Sequence, residues 1–307
     1  VTSLILRPLT GRAELPLFNR LPYDLNGELA EDLDAGRRRP EHLWVALRGD
    51  RLLARLAWWS DGPAANLLDV FDVADDVDRV DVGVRLLRTA MARVLPEGST
   101  PPDHIRYVPP DWRTDQVSGR VARDVSAALE RTGARLFVER LRLEWRPGTP
   151  LPERDERLRF RPPHDTEELL GLMTRVLEGT LDAHSTEDLA RMSPRDAATA
   201  HFEREMARYV SPRDWWRVAT LPDGSPVGFV TPGRNHYNAV TGYLAVLPEH
   251  RGRGHIHGLL AESTRFLAGQ GVPRIRAATD LDNTPMAAAF HRAGYLTLAH
   301  VLNSTWG

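Results

Sequence analysis

The stretch Tyr243-Leu244-Ala245-Val246-Leu247-Pro248-Glu249-His250-Arg251-Gly252-Arg253-Gly254-His255-Ile256-His257-Gly258-Leu259-Leu260 decides how this chain is read. An apolar strand ends at Pro248 and an Arg- and Gly-rich turn follows. Leu259, Leu260, Ser263, Phe266 and Leu267 then recur at helical spacing. Glycines at a helix N-terminus let several backbone N–H groups approach one anion, and the helix dipole favours its charge. Arg251 and Arg253 can add charge-assisted bonds. The turn reads as an anion site, most simply for a pyrophosphate.

Two familiar owners of such a turn fit poorly. A P-loop needs Gly-Lys-Ser/Thr, and all 40 basic residues of this chain are Arg. A dinucleotide fold would accept Gly252-x-Gly254-x-x-x-Gly258. Its glycines, however, should follow the strand directly, and here Pro248, Glu249, His250 and Arg251 intervene. A glycine-capped surface turn is the plain structural alternative. The missing Lys also removes Schiff-base chemistry, and a Cys count of zero removes disulfides, thiolate nucleophiles and cysteine metal sites.

The segment resembles the acetyl-CoA signature of the GNAT (GCN5-related N-acetyltransferase) family, Arg/Gln-x-x-Gly-x-Gly/Ala after a Val-x-Pro strand end. Arg251 and Gly254 match it, while Ile256 stands where Gly or Ala is usual. A second stretch, Asn283-Thr284-Pro285-Met286-Ala287-Ala288-Ala289-Phe290-His291-Arg292-Ala293-Gly294-Tyr295, resembles the family's later motif, an Asn opening a helix that ends in Gly-Phe/Tyr. Asn283 is also an ordinary N-cap with Pro285 in the first turn. The resemblance covers about 150 residues, and its implications are specific. The strand before the signature should bulge and splay from its neighbour, with the pantetheine arm in the gap. Acetyl-CoA should contact Val246, Leu247, Arg251, Gly252, Arg253, Gly254, His255, Ile256, His257, Asn283 and Phe290. A backbone N–H near Val246 should stabilise the oxyanion.

The family's side-chain chemistry is harder to place. Its proton donor is commonly a Tyr seven residues after the motif Asn, and Phe290 occupies that position. A Glu used as base by some members falls on Ala278. Asp280, Asp282 and His291 are the remaining catalytic candidates, against the commoner roles of loop cap and exposed helix face. His250, His255 and His257 cluster near the turn, but His255 and His257 diverge on a helix, so no metal site is expected.

Three pairings in the same order indicate a duplication. Leu4-Ile5-Leu6-Arg7-Pro8 is repeated by Leu158-Arg159-Phe160-Arg161-Pro162, and Trp44–Asp50 by Arg217–Gly224. Arg131-Thr132-Gly133 stands twelve residues before Trp145, as Arg292-Ala293-Gly294 does before Trp306. Each of the last two reads as a helix ended by Gly, then two short strands. The proline-rich stretch 146–156 reads as a linker. The expectation is an α/β (α+β) protein of two tandem GNAT-like domains, 1–150 and 151–307. Each should be a mixed, largely antiparallel central sheet flanked by helices. In the second, a single long strand spans about 238–247, between a polar helical stretch reaching about 209 and a helix at 254–270.

In the first repeat, the place of the signature is taken by Asp69-Val70-Phe71-Asp72-Val73-Ala74-Asp75-Asp76-Val77-Asp78, acidic and without glycine. Carboxylates there should repel pyrophosphate, so this domain reads as degenerate and cofactor-free. In the second repeat Thr180–Asp188, the polar helix near 195–209 and the aromatics Tyr209, Trp215 and Trp216 lie where an acceptor pocket would be built. Hydrophobic content of 42%, charged content of 27% and a net charge of −2 describe an ordinary globular chain and give no reason to expect a nucleic-acid partner. No apolar run reaches the roughly 18–20 residues of a membrane span, and residues 1–8 do not resemble a signal peptide. A cytoplasmic monomer or homodimer is expected. The resemblance implies transfer of an acetyl (acyl) group from acetyl-CoA to the amine of a small acceptor. A non-catalytic acyl-CoA-binding or sensing protein is the alternative, motivated by Phe290.

Overall fold

The computed structural model describes residues 3–60, 62–76 and 78–307. Val1 and Thr2 of the N-terminal reading and Val77 of the acidic run lie outside the described residues. In chain order the first elements are β1 (Leu4–Pro8), the short helices α1 (Leu15–Phe18) and α2 (Leu29–Asp34), then β2 (Leu43–Arg48), β3 (Arg51–Trp59) and β4 (Leu67–Val73). Next come α3 (Arg79–Val94), β5 (His104–Val108), α4 (Gln116–Glu130) and β6 (Arg135–Trp145). After an irregular stretch follow β7 (Arg159–Arg161), α5 (Thr166–Val176), α6 (Ala183–Arg191), α7 (Pro194–Arg204), β8 (Arg217–Thr220) and β9 (Pro226–Val230). The chain ends with β10 (Gly233–Arg234), β11 (Ala239–Val240), β12 (Leu244–Val246), α8 (His255–Gly269), β13 (Ile275–Asp280), α9 (Thr284–Arg292) and β14 (Leu296–Thr305).

These elements form two compact units: Val1–Glu139 with Ala299–Gly307, and Arg140–Leu298. In the first, the strands run β1-β2-β3-β4-β5, and His300–Ser304 of β14 pair with β5. One face carries α3 and α4 over Leu56, Trp58 and Phe71, and the other carries Phe18, Leu25 and Leu29 over Val45 and Val70. In the second unit, Arg140–Trp145 pair residue by residue with β13, which pairs with β11 and through it with β10. A separate sheet runs β12-β9-β8-β7. Among these pairs only β4–β5 and β11–β13 are parallel. The mixed, largely antiparallel sheets flanked by helices are those the sequence implies.

The repeats agree atom by atom at both ends. Arg7 forks onto Glu14 at 2.9 and 2.6 Å, and Glu14 also accepts the Thr10 N–H at 2.6 Å. Arg161 forks onto Glu168 at 2.9 and 2.5 Å, and Glu168 accepts the His164 N–H at 2.7 Å. At the other end, Gly133 and Gly294 take left-handed φ values of 95° and 86°. The N–H groups of Ala134 and Tyr295 close back on Leu129 and Phe290, which is the Schellman helix stop in both copies.

Three expectations need correction. The last strand of each repeat is one long strand rather than two short ones, and it is divided between the two units. The strand expected over 238–247 is broken into β11 and β12. The acidic run does not form an exposed acidic face. Asp69 and Asp72 are buried and pair with Arg38, and with Arg55 and Arg106, while Asp75 and Asp76 pair with Arg79 and Arg51. For Asp69 and Asp72 the matching arginines come from distant parts of the chain, whereas Arg79 lies only four residues from Asp75.

Candidate active site

The break between β11 and β12 opens the site. Ala239 and Val240 pair with β13, and the Thr241 N–H still donates to the Arg276 carbonyl at 3.0 Å. Gly242 then turns at φ 70°, where a Cβ would lie 2.0 Å from the Thr231 carbonyl oxygen. Only glycine tolerates both the conformation and the approach. The Tyr243 N–H donates to Thr231 Oγ1 at 2.9 Å, and from Leu244 onward the chain pairs with β9 instead. Tyr243 and Leu247 hydrogen-bond the β9 side, through Thr231 N–H to the Tyr243 carbonyl and Leu247 N–H to the Val227 carbonyl. By the alternation of an antiparallel ladder, the peptide groups of Leu244 and Val246 point away from β9, toward the edge that β13 has left. Opposite Val246, Gly228 allows the close pairing, since a Cβ there would sit 2.2 Å from the Ala245 carbonyl oxygen.

Beyond β12 the chain makes one tight turn at Pro248–His250 and enters α8 through Gly252 (φ 76°) and Gly254 (φ 79°), the latter being the N-cap. Among the described residues, the N–H groups of Gly252, Arg253, Gly254, His255 and Ile256 donate to no protein acceptor. These five consecutive donors lie at the positive end of a 15-residue helix. Arg253 is exposed and its guanidinium makes no ion pair among the described residues. Arg251 behaves differently. Its guanidinium donates to the carbonyls of Val176 (2.7 Å), Glu178 (2.6 Å) and Val246 (3.2 Å). It braces the turn to the C-terminal end of α5, where helix carbonyls lack partners and a cation is favoured. The turn's histidines also have other surroundings. The ring of His255 is buried, and His257 Nε2 faces Arg292 at 3.2 Å, whose positive charge adds to burial in lowering the histidine's pKa. Ile256 packs on the core beneath α8, and Gly258 lets the helix approach Asp155 and Leu158.

The second motif is assembled as the spacing implies, with Asn283 capping α9 by accepting the Met286 N–H at 3.3 Å. Phe290 is buried in the core under α8 and α9, 5.2 Å from the Tyr295 ring. Asp280, at the end of β13, is buried and carries two structural duties. It pairs with Arg140 at 2.9 Å and accepts the Ala183 N–H at the start of α6 at 2.7 Å. Asp282 and His291 are exposed, and His291 Nε2 meets Thr297 Oγ1 at 3.0 Å. The sequence placed Tyr295 at the end of the second motif but gave its hydroxyl no role. Its hydroxyl ties Thr241 at the strand break (3.1 Å) to Thr264 on α8 (2.9 Å). The only local hint was the Gly after Thr241 inside a strand pattern.

On the other face of β12, Tyr243 and Leu247 pack toward α5 and α7. A cavity of about 30 Å³ lies there between Met173 and Leu177 of α5, His184 and Asp188 of α6, His201 of α7, and Tyr243. Asp182 caps α6 by accepting the Ser185 N–H at 2.8 Å. Burial would raise its pKa, but that bond and the charge of Arg140 hold it below the usual carboxylate range. Of the aromatics expected here, Tyr209 and Trp216 pack in the core beside this cavity rather than lining it, and Trp215 stacks edge-on to Phe266.

Comparison with known proteins supports this geometry. Residues 183–295 match the model of the Acetyltransferase (GNAT) family. Among solved structures, the chain is similar to a GCN5-related N-acetyltransferase from Sphaerobacter thermophilus. The two share 16% identity over 98% of this chain and 95% of that one, with a TM-score of 0.63. It is also similar to a tandem GNAT protein from the clavulanic acid biosynthesis pathway, at 17% identity over 99% and 98% of the two chains and a TM-score of 0.51. At these identities the structures speak for the fold. The family match, the broken strand and the glycine turn coincide in one segment, and residues 183–295 of this chain are a domain of the GNAT acetyltransferase family.

Proposed function

We propose that the second unit binds acetyl-CoA and transfers its acyl group to the amine of a small acceptor. The observation that carries this reading is the run of five undonated N–H groups, Gly252 to Ile256, at the head of α8, continuous with the open edge of β12. A pyrophosphate would be held by those amides and the helix dipole, with Arg253 free to add a charge-assisted bond. Arg251 would act through the turn it braces and not by its own guanidinium. The N–H groups of Leu244 and Val246 would face the pantetheine arm and the thioester, and Val246 is the proposed donor to the oxyanion. Phe290 cannot protonate the leaving thiolate, so water would do so.

Phe290 also favours a second reading, a protein that binds acyl-CoA without turnover. One pair of measurements separates the two. Calorimetric titration of the full chain with acetyl-CoA should saturate at one equivalent, and free thiol should appear only when an amine from a panel is added. Binding without thiol release selects the second reading. Absence of binding overturns both.

A further inference from the structure

The cavity between α5, α6 and α7 is polar on one side and reaches the residue that precedes the open edge of β12. His201 is its central polar group. The ring lies 4.8 Å from that of Tyr243, centroid to centroid, and among the described residues its nitrogens have no hydrogen-bond partner. The neighbouring carboxylate is already engaged, because Asp188 accepts from Arg204 at 2.7 Å. Apolar side chains of Met173, Leu177, Ala197 and Ala198 close the remaining wall. The cavity is small but has room for more than one water molecule.

We propose that this cavity receives the amine end of the acceptor and that His201 is the catalytic residue that takes its proton. The inference rests on the acyl-transfer reading of the same unit. One ammonium proton passes to His201, the freed amine attacks the thioester carbon, the N–C bond forms and the C–S bond breaks. The second nitrogen proton reaches the departing thiolate through water, and His201 returns its proton to solvent. Burial pushes the His201 pKa below the ordinary histidine value, so the ring is neutral and basic at pH 7. The groups facing it are Arg204 and Glu205 of its own helix, His184 and Asp188 of α6, Asp182 before α6, and Tyr243; α5 presents no charge.

The test uses the full chain, acetyl-CoA, and a panel of putrescine, benzylamine, lysine and glucosamine in a thiol-release assay. His201→Ala and His201→Gln should lower kcat about 100-fold, the usual scale for a lost general base. The acetyl-CoA dissociation constant should stay within about twofold, since no cofactor contact is removed. The wild-type kcat should fall at acid pH as His201 protonates, and both variants should lose that limb. Added imidazole should restore the Ala variant about tenfold and the bulkier Gln variant hardly at all. A kcat near wild type, or a loss with an unchanged pH profile and no rescue, overturns the role of His201. Acetyl-CoA binding without turnover of any amine also overturns it but leaves the cofactor site standing. Failure to bind acetyl-CoA overturns the acyl-transfer reading itself.

Discussion

The strand-to-helix passage β4–α3 of the first unit and β12–α8 of the second hold corresponding places in their units but meet their polar groups in opposite ways. In the second, the glycines of the turn sit at positive φ, and five consecutive N–H groups find no acceptor among the described residues. In the first, the passage has no glycine, and several of the polar groups around it are matched internally. Arg106 donates to the Phe71 carbonyl and to Asp72, both at 2.9 Å, where β4 and β5 pair only at Leu68 and His104. The Tyr23 hydroxyl accepts the Tyr107 N–H at 3.0 Å. Arg38 forks onto Asp69 at 2.8 and 2.6 Å and also pairs with Asp32. A site is thus a place where a fold leaves polar groups for a ligand. In the first unit Asp69 and Asp72 of the acidic run are instead matched by arginines.

The contrast is sharpest for the buried pairs. Arg38→Ala would leave Asp69 buried without its cation and Asp32 with Arg37 alone, and should lower stability by about 3–5 kcal/mol. Urea denaturation followed by tryptophan fluorescence measures this, and a loss below about 1 kcal/mol would mean that the network is not what holds the first unit closed. Next in size is Gly254→Val, which places a β-branched residue at φ 79° in the second unit's turn. Acetyl-CoA affinity should fall by more than about tenfold, or roughly 1.4 kcal/mol, and an unchanged dissociation constant in a folded variant would break the assignment of the cradle. The smallest effects probe what the units share. Glu14→Gln and Glu168→Gln should each cost about 0.5–1 kcal/mol, and nearly the same amount, because the two partly exposed pairs have the same geometry. The bond from Arg7 holds the Glu14 carboxyl at about 2, down from 4.5. A depressed carboxylate pKa gives stability that is complete above the unfolded value and lost as pH falls toward the folded one. The difference between wild type and Glu14→Gln should therefore be full at pH 6, shrink below about 4.5 and vanish near pH 2. A difference that persists at pH 2 would assign the loss to packing.

What the sequence determined by itself is local. The glycine turn, the α8 and α9 boundaries, the Asn283 cap and the duplicated ends were legible, because φ preferences, caps and helical periodicity act within a few residues. The tertiary structure decided everything that depends on a partner from elsewhere in the chain. Arg251, matched by pattern to the cofactor, finds its acceptors at Val176 and Glu178. Asp280, a candidate base from its neighbourhood, is taken by Arg140 and the start of α6. Asp69 and Asp72 of the acidic run are buried against Arg38, Arg55 and Arg106, which lie 17 to 34 positions away. The strand that completes the sheet beside β13 comes from before the linker, at Arg140–Trp145, where no local pattern distinguishes it from any other strand. A charged group goes where its burial can be matched, and that matching is a property of the packed chain rather than of its order.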